Sequence, residues 1–441
     1  MASSDPYPSD DERSRRIVRG LCAFLHRFRI PVGAVYAVVI VAVTANGIHR
    51  ALDETRSSEF RSFCEIVQES IAEDHDHYET IAHRRAYPPF FAIAFAPFGL
   101  LPTTVGAVFF YVACAAFTLI SVWLCARSCA GQVGVHGAAL LLLPLPSIYI
   151  LSAIARGETD LLVLLPLSGA LALMIRGGRR SDAAAGALLG FAAALKLTPA
   201  LFGPFLLIQR RWTALAAMVL SGVVLVGGLG VAVWGVDGTI ERHRSWVENV
   251  LKPYSAEGPS AFIERPYRAI NQSPTAALFR LLNEKHGGVL EPGTSAKINI
   301  VNLRPETVRR IASGIKLLVL AALAVCWWGA AKSPSRIVFS AAFASVVLGM
   351  LLLSDVSLRT HHVTLLFPFG VCIAVLASDL AGPARWLIEA VFPASLLLLL
   401  IGVFHIGKIM STLVLADVLL LAGMLGIMLA HGRAESSDRS P

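Results

Sequence analysis

Charge is what this chain has least of. Only 15% of its 441 residues are charged, against about 25% in soluble domains, so an ordinary soluble or disordered chain is excluded. Cysteine is sparse: Cys22, Cys64, Cys114, Cys125, Cys129, Cys326 and Cys372 form no metal-type CxxC pair and lie mostly in or beside apolar runs. Only Cys64 falls in a loop expected outside, which argues against a disulfide framework. No nucleotide-cradling glycine loop is evident, and no Asp-x-Asp pair beyond Asp74-His75-Asp76. The net charge of +8 sits mostly in short basic clusters between apolar runs, where the positive-inside rule places it. It carries no nucleic-acid signal. Met1 to Asp11 is too acidic for a signal peptide and reads as a disordered cytoplasmic tail.

What the chain has is apolar sequence. It is 55% hydrophobic, with a mean hydropathy of +0.65. Its runs approach the roughly 20 residues that cross a bilayer as helix. This predicts an all-α polytopic membrane protein with about ten full spans: 31–48, 105–126, 135–153, 161–175, 214–234, 315–330, 338–353, 363–377, 387–404 and 411–429. Residues 1–30 are expected to be a cytoplasmic tail, 31–430 the membrane domain, and 431–441 a second cytoplasmic tail. Arg13, Arg15, Arg16 and Arg19 place the N-terminus inside, so residues 49–87 and 235–310 become large outer loops. In the first, Phe60, Phe63, Ile66, Val67 and Ile71 recur at helical spacing.

Two segments depart from plain spans. Residues 88–102 are apolar but short and carry four prolines, which suits a re-entrant or interfacial piece. Residues 183–209 are flanked by Arg179-Arg180 and Arg210-Arg211. A hairpin of two short helices keeps both clusters inside and puts Lys196-Leu197-Thr198-Pro199 at its outer tip; a plain kinked helix is the alternative.

The polar residues converge on the outer side. Asp53, Glu54, Glu59, Glu65, Asp74, His75, Asp76, His77, Arg84 and Arg85 lie in the first loop. Glu158 and Asp160 sit at a span junction, Lys196 interrupts an apolar segment, and Asp355, Arg359, His361 and His362 lie where another span begins. Charge at bilayer depth costs several kcal/mol, so each is a functional candidate. Each also has a plain reading. The loop acids can form a solvated face, and the alternating Asp74 to His77 run rarely makes a complete metal site. Lys196 can snorkel, the two histidines can anchor a helix start, and Glu158 and Asp160 can sit at a helix N-terminus for its dipole.

Taken in order, these stretches resemble the family 87 glycosyltransferases of the GT-C superfamily. The likeness runs from about residue 57 to 370. It rests on Ser58-Glu59-Phe60-Arg61-Ser62-Phe63, on Tyr87-Pro88-Pro89-Phe90 with Ala96-Pro97-Phe98-Gly99-Leu100-Leu101-Pro102, and on Gly157-Glu158-Thr159-Asp160. It continues in Gly186 to Pro199, which ends in Lys196-Leu197-Thr198-Pro199, then Asn271-Gln272-Ser273 with Arg280, and His361-His362 before Leu365-Leu366-Phe367-Pro368. Two positions depart from the family pattern: Glu59 stands where an Asp is usual, and Glu158 and Asp160 stand where amides are usual.

The resemblance implies a GT-C-type helical bundle in a bacterial cytoplasmic membrane, its site on the extracytoplasmic face. It implies transfer of a sugar, mannose foremost, from a polyprenyl-phosphate donor to a glycolipid or polysaccharide, with inversion. It calls for neither cofactor nor metal. Glu59 is then the expected general base, with Glu158 and Asp160 as alternates. Lys196, Arg359, His361 and His362 are expected at the donor phosphate, and Tyr87, Pro88, Pro89, Asn271 and Gln272 are expected to position loop and substrate. A secondary transporter and a non-catalytic polyprenyl-phosphate binder remain open on the residues alone.

Overall fold

The computed structural model describes residues 10–56, 58–76, 78, 87–129, 134–261, 266–284, 298–378 and 382–437. Helix is the only regular structure among them. Eight helices are long and apolar enough to cross a membrane, or nine if one bent pair counts as a single span. The remaining expected span, 161–175, is the 17-residue helix Asp160–Arg176.

The bent pair corrects one expectation. Residues 135–153 read as a continuous span, but Val135–Leu142 and Ser147–Arg156 meet at 68°. Pro144 and Pro146 fall in the turn between them; each lacks an amide hydrogen, and its ring clashes with the preceding turn.

The segment 183–209 forms the expected hairpin. Helix Arg179–Leu195 ends at Lys196, and a 3-10 turn, Thr198–Leu201, leads into Phe202–Ile208. Arg211 Nη1 donates to Asp182 Oδ1 at 2.6 Å and to the Met174 carbonyl at 3.3 Å. The two basic clusters therefore share one end of the bundle. The first hairpin helix packs tightly on Trp212–Val223. A Cβ on Gly186 would stand 2.0 Å from the Ala214 carbonyl oxygen, and one on Gly190 2.0 Å from Ser221 Oγ. Such close backbone approach is how helices associate where lipid removes the hydrophobic drive.

The long outer loop is also corrected. Gly235 takes φ 72° and kinks the chain, but helix resumes and runs through π and 3-10 stretches to Ala261. Thr239, Arg242, Trp246 and Val250 bury one narrow stripe. A stripe so thin and polar reads as loop in sequence, although its spacing is helical. A further helix spans Pro274–Leu282.

In the first outer loop helix Glu59–Val67 with a π turn to Ala72 covers the residues from Phe60 to Ile71 that recur at helical spacing. Phe60, Phe63, Ile66 and Val67 are its buried face. Residues 88–102 give a short buried helix, Phe90–Gly99. His77, Arg84 and Arg85 lie outside the described residues, as does the start of the N-terminal tail. From Asp10 to Arg27 the chain is helical. Arg19 Nε reaches the Ala377 carbonyl at 2.8 Å, and the buried Arg385 binds Ser14 Oγ at 2.8 Å.

Gly190→Ala should lower the thermal unfolding midpoint in detergent, since overpacking costs about 1–3 kcal/mol. Gly203→Ala should leave it unchanged, because nothing lies within 4 Å of a Cβ there. Equal midpoints for the two variants would contradict the close contact.

Candidate active site

The junction between Ser147–Arg156 and Asp160–Arg176 builds the site. Gly157 adopts φ 72° after the first helix. Its amide donates to Ile154 O at 3.1 Å, and the Glu158 amide donates to Ala153 O at 3.0 Å, a Schellman-type helix end. A Cβ on Gly157 would meet the Tyr111 hydroxyl at 2.7 Å, so glycine is required for both space and φ. This cap turns Glu158 inward, where it is 5% exposed. Thr159 then starts the next helix, and Asp160 occupies its first turn.

Four segments meet here. Arg156 Nη2 lies 3.9 Å from Glu59 Oε1, and its Nε lies 3.2 Å from Glu158 Oε1 without hydrogen-bond alignment. Lys196, from the hairpin tip, donates to Asp160 Oδ1 at 2.7 Å. His361 Nε2 approaches Asp160 Oδ2 at 3.8 Å, and that oxygen has no hydrogen bond among the described residues. The Tyr87 hydroxyl meets Thr159 Oγ1 at 2.9 Å. The Tyr87 ring stacks on Phe91 at 4.3 Å and lies edge-on to Phe63 at 5.7 Å. Pro88 and Pro89 supply the carbonyls for the first turn of Phe90–Gly99, so the elbow aims Tyr87 at the junction.

Burial, with Asp160 and Glu59 nearby, pushes the Glu158 carboxyl up to about 7; Arg156 and Lys196 only partly offset this. Glu158 therefore gains and loses its proton near neutrality, the range in which a carboxylate serves best as a base. Burial pushes the Tyr87 phenol up to about 12, keeping it a neutral hydroxyl. Glu59 opens the helix Glu59–Val67 and keeps 27% of its side chain exposed.

A family model for glycosyltransferase family 87 matches residues 86–354, more than half of the chain. The chain belongs to glycosyltransferase family 87. No curated protein and no solved structure matches it. The matched stretch holds the acid junction and Lys196; Glu59, Arg359, His361 and His362 lie outside it.

The other expected residues of this family 87 chain separate into two groups. Arg359 lines a pocket with Arg156 and Lys408. His362 is fully buried away from solvent, with Nδ1 on Leu358 O at 3.0 Å and Nε2 on Asp417 Oδ2 at 3.1 Å. Asn271 and Gln272 form a latch. Asn271 Nδ2 donates to Pro266 O and Asp355 O, both at 2.9 Å, and its Oδ1 accepts from the Ser273 and Ser357 amides. The Gln272 side chain donates to Ala269 O at 2.6 Å and Lys408 O at 2.7 Å. The side-chain amide nitrogens of both residues therefore donate to backbone carbonyls, positioning the loops around the site. Arg280 serves the same segment by donating to the carbonyls of Tyr267, Arg268 and Asn271, each at 2.9 Å.

Sequence reasoning passed over Arg156 and Lys408, and it singled out Asp355 without its role as a hub. Arg156 directly precedes the acid motif, and Lys408 is a lone cation between two apolar spans, signals that were present. The partners of that hub have no local signal. Asp355 accepts from Thr275 Oγ1 at 2.6 Å and Tyr254 at 3.1 Å, and pairs with Lys316. Among the described residues no cluster of three His, Cys, Asp or Glu side chains could hold a metal ion. Asp74 instead pairs with Arg242 at 2.5 Å.

Two outcomes follow from this geometry. A carboxylic-acid carbonyl band in the infrared spectrum should vanish as pH rises through about 7, because the neutral form persists below that value and the carboxylate forms above it. The band should be missing at every pH in Glu158→Gln. Asn271→Ala should destabilise the protein by several kcal/mol in chemical unfolding, since each buried group left unpaired costs about 1–3 kcal/mol; a loss under 1 kcal/mol would discount the latch.

Proposed function

We propose that this glycosyltransferase moves a sugar, mannose in the leading case, from a polyprenyl-phosphate donor to a glycolipid or polysaccharide acceptor. We place the reaction at the extracytoplasmic face of a bacterial cytoplasmic membrane, with both chain termini on the cytoplasmic side. The observation that carries this reading is the convergence of Glu59, Glu158 and Asp160 around Arg156 and Lys196 at the ends of apolar helices. A lipid-linked donor enters sideways from the bilayer, and such a junction meets it there. Charge buried at this depth needs a function or a partner, and here three acids have two cations.

Glu59 is the proposed base. It is the acid of the group with the most exposed side chain, so an acceptor hydroxyl can reach it. The acceptor oxygen attacks the anomeric carbon while Glu59 takes its proton, and the configuration inverts. Arg156 lies between Glu59 and Glu158 and holds the first carboxylate in place. Tyr87, fixed on Thr159, closes one side. One observation favours a second assignment: Glu158, pushed up to about 7, is the acid best poised for proton transfer at neutral pH.

The two assignments separate by mutation. In lipid nanodiscs with polyprenyl-phosphate-mannose and a glycolipid extract, wild type should form product detectable by mass spectrometry. Glu59→Gln should lower the rate by about a hundredfold or more, the usual worth of a general base, while Glu158→Gln should keep more of it. The reverse ranking would transfer the role to Glu158. Absence of product with any polyprenyl-phosphate sugar would remove the lipid-donor reading.

A further inference from the structure

One pocket gathers cations without matching acids. A cavity of about 160 Å³ is lined by Arg156, Arg359 and Lys408, by the hydroxyl residues Ser152 and Thr360, and by apolar Ile270 and Leu358. Arg156 faces Glu59 and Glu158 as well. Arg359 and Lys408 have no ion pair among the described residues. Thr360 is 2% exposed, and its hydroxyl and Arg359 Nε are buried without a hydrogen-bond partner among the described residues. Unpaired buried donors are costly, and cations so placed call for an anion. Arg359, Thr360 and Lys408 all lie beyond residue 354, where the family match ends. Gln272 holds the Lys408 carbonyl at 2.7 Å, and its own amide donates to Ser357 O at 2.7 Å. The latch thus brings the two free cations to one cavity.

We propose that this pocket binds the phosphate of the lipid-linked donor, with Lys408 and Arg359, rather than Lys196, as its principal cations. Lys196 is engaged with Asp160 at 2.7 Å. The inference rests on the proposed transfer reaction and names its leaving-group site. In that step the acceptor oxygen bonds to the anomeric carbon, and the carbon–oxygen bond to phosphate breaks. The electron pair stays on the phosphate oxygen, and the acceptor's proton passes to Glu59. A phosphodiester with one negative charge becomes a monoester with one more, so cations at this point favour the transition state over the ground state. Arg156 touches both the acids and the pocket, linking the two halves of the step. Ile270, 43% exposed, and Leu358 suit the first isoprene unit.

The test is binding in neutral phosphatidylcholine nanodiscs, with a short-chain polyprenyl phosphate as probe and thermophoresis as readout. Lys408→Gln and Arg359→Gln should each weaken binding about tenfold or more, with unfolding midpoints unchanged. Lys408→Arg should restore most of the affinity. Polyprenol lacking phosphate should bind far more weakly, and inorganic phosphate should displace the probe only at high concentration. Wild-type affinity in both charge-removing variants would overturn the pocket, as would equal competition by phosphatidylglycerol, which would mark a general headgroup site. Lys408-dependent binding without sugar transfer would keep the pocket and remove the transfer reading. Transfer that survives Lys408→Gln and Arg359→Gln undiminished would do the opposite.

Discussion

The ion pair between Asp160 and Lys196 is the contact on which the site depends. Each partner is costly to bury alone, and a buried pair broken on one side typically loses about 3–5 kcal/mol. The pair joins the hairpin tip to the first turn of Asp160–Arg176. Around that fixed point the Tyr87 elbow settles on Thr159, and the Schellman-type cap sets Glu158 one residue earlier. Compensation within the site is incomplete by design: Arg156 is shared between two acids, so Glu158 is left close to neutrality.

A second network holds the surrounding loops. Asp355 receives Thr275, Tyr254 and Lys316 on its carboxylate, and Asn271 and Ser273 on its carbonyl. Segments distant in sequence are thereby tied together by polar contacts, in a region where apolar packing against lipid gives no preference for one loop arrangement. Nearly every donor in the Asn271-Gln272-Ser273 stretch ends on backbone, as expected where irregular chain is buried.

Much of this was legible in the sequence. Apolar runs gave the span positions, and the paired arginine clusters with Pro199 gave the hairpin, because charge placement relative to the bilayer is a strong constraint. The acids at 158 and 160 and Lys196 stood out as charge amid apolar residues. What sequence hid has physical causes. Pro144 and Pro146 broke a span whose hydropathy stayed high throughout, since hydropathy is blind to backbone geometry. The helix after Gly235 was masked by its polar face. The roles of Asn271, Gln272 and Arg280 depend on partners far along the chain, Asp355, Lys408 and Ser411, and no local pattern encodes such contacts. Glu59 was visible through its motif alone; its link to Arg156 was not.

The N-terminal helix carries a consequence of another kind. Its Arg19 and Ser14 contact Ala377 and Arg385 across sequence separations of 358 and 371 residues. Arg385, with no exposed surface, meanwhile caps the carbonyls of Val375, Leu376 and Ser378. Helix Asp10–Arg27 therefore finds these partners only after the more than 350 residues between them have been made. Domains usually form from the N-terminus as synthesis proceeds; here an early segment is joined to one made much later. A chain that stalls before residue 377 thus leaves helix Asp10–Arg27 without that clasp.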